Sequence, residues 1–325
     1  MIGYAGWITD PGRKRRHNED AYVCEPPLFA VADGMGGAQA GEVASRLAAA
    51  ALRESGADAG GEQRIVDLIQ EANRRVYDRS NADPNTYGMG TTMTVALVED
   101  GRVAFGHVGD SRAYLIRDGA MEQVTEDHSL VNELLKSGKL SPEEAETHPQ
   151  RSVITRALGT DPDVDVDTFT IDAKNGDVFL LCSDGLTDMV DEQEILELVE
   201  RNRSNIDTAL KALVRAANRG GGEDNITVVA FEIAASPAVH DGQTQEQALP
   251  PELAEQRLED EDTLDEVDGV PVVDTQVIPT EEIQSELEAE KRARRRNLRR
   301  RILAWLALLA LLAVIAALVV WRLTS

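Results

Sequence analysis

The sequence predicts an α+β domain built from layered antiparallel sheets, followed by a disordered acidic linker and one C-terminal transmembrane helix. Three observations carry that prediction. Short apolar runs of β type alternate densely with helical runs up to residue 235. Several of those β-type runs are separated only by turn residues. Beyond residue 235 the apolar periodicity stops, and a single long apolar run closes the chain.

In chain order, the β-type runs are LFAVAD, TTMTVALV, VAFGHVGD, AYLIRDG, DVFLLCSDG and NITVVAFEI. The turns EDG (Glu99 to Gly101) and RDG (Arg117 to Gly119) leave no room for a crossover helix, so the flanking strands form antiparallel hairpins. Helical runs cover Gln39 to Glu54, Gln63 to Ser80, Ser129 to Ser137, Asp191 to Arg201 and Ile206 to Asn218. Residues 1–235 therefore read as one layered domain.

Residues 236–290 change character. From Ala235 to Glu290 there are 17 acidic side chains against one basic, Arg257. Such a segment buries too little apolar surface to offset its ordering entropy, and it reads as a solvated, extended linker. KRARRRNLRRR (residues 291–301) then brings eight positive charges, and residues 302–320 are nineteen apolar residues without a charge. At 1.5 Å per residue those span roughly 28 Å, one hydrocarbon core. The basic run should stay on the cytoplasmic side against anionic lipid, with residues 321–325 emerging as a short extracytoplasmic tail. Trp305 and Trp321 suit the two interfaces. The expectation is a single-pass cell-membrane protein whose layered domain, residues 1–235, is cytoplasmic.

Charge excludes one class of partner. With 33 Lys and Arg against 58 Asp and Glu, net −25, the chain lacks the basic character of a nucleic-acid binder. Cys24 and Cys182, both within apolar stretches, read as buried reduced thiols of a reducing compartment. The opening MIGYAGWITD has no charged start followed by an apolar core, so no signal peptide is expected.

Four β-type runs meet an Asp beside Gly or Asn: ADGMGG (Asp33), HVGDSR (Asp110), CSDGLTD (Asp184, Asp188) and GGGEDNITVV (Asp224). RKRRHNED adds Glu19 and Asp20 beside a basic cluster. One such Asp is an ordinary turn former. Four at comparable strand ends can converge on one sheet edge, where they repel unless a cation neutralises them. The loop from Gly34 to Gly41 matches neither a Walker loop nor a dinucleotide loop, because Gln39 stands where the third glycine belongs. An oxygen-only cluster suits a hard cation, Mg²⁺ or Mn²⁺, and Gly34 lets its backbone carbonyl approach one closely. The loop reads as a metal site.

The order RRHNED, ADGMGG, GTT, VGDSR, SDGLTD, GGGEDNIT, with HPQRSVITRALG between the last three, resembles the bacterial metal-dependent serine/threonine protein phosphatases of type 2C, over about residues 3 to 233. The resemblance implies a four-layer αββα sandwich of two antiparallel sheets flanked by helices. It implies hydrolysis of phosphoserine and phosphothreonine in proteins by a water activated between two Mn²⁺ or Mg²⁺ ions, with a third, weaker site. Asp33 then resembles the bridging carboxylate, Gly34 a carbonyl ligand, and Asp184 and Asp224 the remaining ligands of the first metal. Asp110 and Asp188, with Asp184, match the third site; Glu19 and Asp20 match acids holding metal-bound waters. Arg15, five residues before Asp20, matches the phosphate-binding arginine, its spacing alone choosing it over the adjacent Arg16, and Asn225 orients Asp224.

Met35 stands where some members carry a His, so the general acid is unassigned, and Ala38 replaces a second His. His128 reads as structural. Leu130 to Arg156 corresponds to a mobile surface flap bearing on substrate choice. Implied partners are phosphoproteins, bacterial serine/threonine kinases and their substrates, and membrane lipid; the catalytic domain is expected to be monomeric. Two other readings are a silent phospho-binding scaffold and a phosphatase of a sigma-factor regulator on the same fold.

Overall fold

Two five-stranded antiparallel sheets lie face to face because the apolar runs of the sequence are buried on both sides. The computed structural model describes residues 2–36, 40–54, 60–146, 148–234 and 276–277. In chain order the strands are β1 (Ile2–Asp10), β2 (Ala21–Glu25), β3 (Leu28–Ala32), β4 (Gly34–Met35), β5 (Gly90–Thr91), β6 (Met93–Glu99), β7 (Arg102–Val108), β8 (Arg112–Arg117), β9 (Ala120–Gln123), β10 (Val153–Ile154), β11 (Asp167–Asp172), β12 (Val178–Cys182), β13 (Ile226–Ile233) and β14 (Gln276–Val277). The helices are α1 (Ala40–Glu54), α2 (Gly61–Ala82), α3 (Leu130–Lys136), α4 (Pro142–Glu146), α5 (Asp184–Thr187), α6 (Glu192–Arg201) and α7 (Ile206–Gly220).

One sheet runs β1-β13-β12-β8-β9 and the other β11-β7-β6-β3-β2. Every residue of β3 and β12 is buried. Alternate side chains point to opposite faces. On the inner faces Phe29 stacks on Phe231 with centroids 4.1 Å apart, and Phe105 meets Phe179 at 5.7 Å. On the outer faces, α1 and α2 cover Val95, Leu97 and Ala104, while α6 and α7 cover Leu180, Val228 and Ala230. The layers are thus helix, sheet, sheet, helix. The chain divides into two units, Met1–Gln276 and Val277–Ser325; only Val277 of the second is described.

The five expected helices and six expected β-type runs all form, with ends shifted by a few residues. Four longer strands go beyond the expectation: β1, β2, β9 and β11. β1, β9 and β11 mix exposed and half-buried positions, as edge strands do, and carry little apolar signal. The flap, read as a loop after α3, contains α4. Ser141 caps it: Glu144 N donates to Ser141 Oγ and Ser141 N donates to Glu144 Oε2, with Pro142 in the first turn. The linker over 236–290 (β14 apart), the basic segment 291–301, the span 302–320, the tail 321–325 and Ala38 lie outside the described residues. Among the described residues no helix is long and apolar enough to cross a membrane.

Candidate metal and phosphate site

Strand register brings the acidic tips together. Ala21 pairs with Ala32, so Asp20 and Asp33 extend from the same end of β2 and β3. Met93 pairs with Val108, placing Thr92 beside Gly109 and Asp110 at that end too. In the other sheet Cys182 pairs with both Arg112 and Val228, so Asp184 follows β12 where Asp224 precedes β13. Asp33 and Asp110 therefore come from one sheet, Asp184 and Asp224 from the other.

The local chain is built around this meeting point. At Gly34 a Cβ would lie 2.1 Å from the Gly41 carbonyl oxygen and 2.5 Å from that of Glu19. Close packing of the loop on α1 thus demands glycine, in addition to any approach of a cation. Asp184 opens α5, and Asp188 N donates to Asp184 O at 2.8 Å, one turn on. Asn225 clamps the basic loop: its Nδ2 reaches the carbonyls of Pro11 and His17, both at 3.0 Å, and its Oδ1 accepts from Glu19 N at 2.8 Å. The orienting role expected for Asn225 thus takes a different form, since its side chain holds the 11–19 loop, while its backbone N–H donates to Asp224 Oδ1 at 2.8 Å. Arg15 settles against the site, with Nη2 donating to Asp224 Oδ2 at 2.8 Å and with Asp33 and Asp184 as further charge partners. Arg16 is exposed.

Hydroxyl groups not assigned from sequence hold the acids. Thr92 Oγ1 accepts from Asp33 N at 2.9 Å, Thr92 N donates to Asp33 O at 2.8 Å, and Thr91 Oγ1 donates to the same carbonyl at 2.8 Å. Ser111 Oγ lies 2.8 Å from Thr92 Oγ1. Ser183 precedes α5 but makes no side-chain cap; its hydroxyl donates to Asp20 Oδ2 at 2.9 Å and accepts from Thr227 N. Ser111 and Ser183 thus do not cap a local turn; each hydroxyl takes a partner from a distant part of the chain. GTT was legible as a motif, but its purpose depends on strand pairing. His128 brackets Gly109, accepting from its N–H on Nδ1 at 3.0 Å and donating its own N–H to its carbonyl at 2.8 Å. Its Nε2 then carries the proton and faces Asp167 at 3.2 Å.

The electrostatics fit a cation. Burial and then the neighbouring Asp20 push Asp33 well above the carboxylate range; burial and Asp110 do the same to Asp184. Burial raises Asp20 to about 6, and burial with Asp127 and Asp188 raises Asp110 to about 7. Asp188 is raised by burial. One buried oxygen each of Asp20, Asp110 and Asp184 lacks a hydrogen-bond partner in the protein, which a native fold rarely tolerates. Among the described residues, no three Asp, Glu, His or Cys side chains gather closely enough to hold one ion between them. The donor set instead suits ions that bind one or two carboxylates and keep several waters. Beside Asp110, Asp184 and Asp188 opens a cavity of about 610 Å³, whose far wall is the flap at Asn132, Leu135 and Arg151.

A sandwich with acids from both sheets converging at one end is the architecture of a metal-dependent phosphatase, and residues 13–216 match the protein phosphatase 2C family. The chain belongs to that family. It is 42% identical over 241 residues to the serine/threonine phosphatase stp of Listeria innocua, covering 70% of this chain and 95% of that one. The crystal structure of the Mycobacterium tuberculosis serine/threonine phosphatase PstP/Ppp superposes with a TM-score of 0.68 at 38% identity, over 72% of this chain and all of that one. The catalytic domain of PstP in complex with two manganese ions gives 0.66 at 36%, over 72% and 99%.

Proposed function

We propose that this chain is a membrane-tethered serine/threonine phosphatase that hydrolyses phosphoserine and phosphothreonine in proteins, opposing serine/threonine kinases. The observation carrying this reading is the meeting of Asp33, Asp110, Asp184 and Asp224 from two sheets, with unpartnered buried oxygens, beside Arg15. Relatives named serine/threonine phosphatases, and one solved with manganese, support it.

In this reading Asp33, the Gly34 carbonyl, Asp184 and Asp224 would together hold two Mn²⁺ or Mg²⁺ ions, with water filling the remaining positions. Asp110 and Asp188, beside Asp184, would hold a third, weaker ion. When bound, the ions supply Lewis-acid polarisation of the phosphoryl group and of the attacking water. Glu19 and Asp20 orient water around them. Arg15, held by Asp224, presents its guanidinium to the phosphoryl oxygens, where its planar fork suits two of them at once. Met35 cannot donate the proton that the leaving oxygen needs, so the donor is another group. Residues 302–320 anchor the domain, and residues 291–301 hold it to the cytoplasmic leaflet.

The test is hydrolysis of a phosphothreonine peptide by the full chain in detergent, with Mn²⁺, Mg²⁺ or EDTA. Turnover should require metal and fall by at least about a hundredfold in Asp184→Ala. Arg15→Ala should act mainly by raising KM. A folded wild-type protein silent with every metal would overturn the reading in favour of the scaffold.

A further inference from the structure

Residues 1–234 carry 23 basic and 41 acidic side chains, so the domain as a whole repels an anionic phosphoprotein. Within them, more than two basic residues stand adjacent at one place only, Arg13-Lys14-Arg15-Arg16. That place is the rim of the carboxylate centre. The loop bearing it is fixed by its backbone: Arg13 N and Lys14 N donate to Gly222 O at 2.7 and 3.1 Å, Gly12 N donates to Asp10 Oδ1, and Asn225 holds Pro11 and His17.

Arg15 turns inward to Asp224, while Arg13, Lys14 and Arg16 are exposed. Among the described residues, none of these three side chains enters an ion pair. Several exposed arginines elsewhere do, as Arg46 with Glu42, Arg53 with Glu25 and Arg74 with Glu71; Arg102, Arg201 and Arg215 do not, but each stands singly in the sequence. In a chain so rich in acids, three unneutralised cations on a rigid loop beside the phosphate position make a local positive field inside a negative one.

We propose that Arg13, Lys14 and Arg16 form an electrostatic docking rim for acidic phosphoprotein segments, selecting phosphoresidues flanked by Asp and Glu. This rests on the phosphatase reading above. Screening limits such a field to about 8 Å at physiological salt. At roughly 3.3 Å per extended residue, it senses the two or three positions on either side of the phosphoresidue.

The experiment compares two phosphothreonine peptides differing only in flanking Asp/Glu against Asn/Gln, plus a small aryl phosphate with no flanks, using the full chain with Mn²⁺ at 50 and 300 mM salt. The acidic peptide should show about tenfold higher kcat/KM at low salt, shrinking at high salt, a typical size for electrostatic steering. In R13Q/K14Q/R16Q the advantage should fall below about twofold, with aryl phosphate turnover unchanged; that control reports folding, and K14Q alone should lose part of the advantage. Equal kcat/KM for the two peptides on the intact chain overturns the proposal, whether the rim is idle or filled by the chain's own acidic segment 236–290. So does an advantage that survives the triple variant. Failure of the phosphatase reading looks different: no turnover of any of the three substrates.

Discussion

Thr92 shows how a residue outside the acidic set controls it, since its hydroxyl and N–H hold both polar groups of the Asp33 backbone. Thr92→Val strands the buried Asp33 N–H and should destabilise the domain by about 1–3 kcal/mol, read from a urea melt, and lower metal-dependent turnover. The acids themselves carry a pH signature. Asp20 and Asp110 sit at about 6 and about 7 in the folded chain, above the ordinary 3.8. Their contribution to stability is therefore full below pH 4 and is lost as pH rises through those values. Relative to EDTA, Mn²⁺ should raise Tm more at pH 7.5 than at pH 5. An equal shift at both pH values contradicts the carboxylate repulsion. His107, pushed down to about 3 by burial, acts in the opposite sense but equally in both arms. The acids were legible because a β-type run meeting an Asp beside Gly or Asn is a local pattern. Thr91, Thr92, Ser111 and Ser183 were not, because a hydroxyl's partner is decided by a strand far along the chain.

At the level of elements, continuous apolar runs such as VFLLC were readable as strands because both faces of each sheet are covered. β1 was not. Its burial is irregular, Trp7 is 44% exposed while stacking on Tyr22, and one register shift interrupts its pairing with β13. β11, DTFTID, has four polar residues in six and lies at the sheet edge. α2 and β7 meet at Gly106, where a Cβ would stand 2.2 Å from Ile65 Cγ2. Gly106→Ala should overpack that contact by about 1–3 kcal/mol and lower Tm by several degrees, with KM unchanged because the contact is remote from the acids. A calorimetric Tm within a degree of wild type would show that the helix simply shifts.

Across the whole molecule, the proposed anchor predicts that the full chain stays with the membrane pellet until detergent is added, and that a variant ending at residue 301 moves to the supernatant. Recovery of both in the supernatant rejects the span. Composition made the acidic stretch and the apolar run visible, yet composition says nothing about how the domain closes. That closure has a consequence for synthesis. β1, the first strand made, pairs from Ile2 to Asp10 with β13, the last strand of this sandwich, and Asp224 stands just before β13. A growing chain cannot complete its sheet or its set of acids until nearly the whole domain has left the ribosome. Sixty-eight residues separate Ile233 from the apolar run that begins at Ile302, about 3 to 14 s of translation at ordinary rates. The domain therefore has time to fold before the proposed membrane segment has been made, and every product ending short of residue 224 lacks Asp224 and β13.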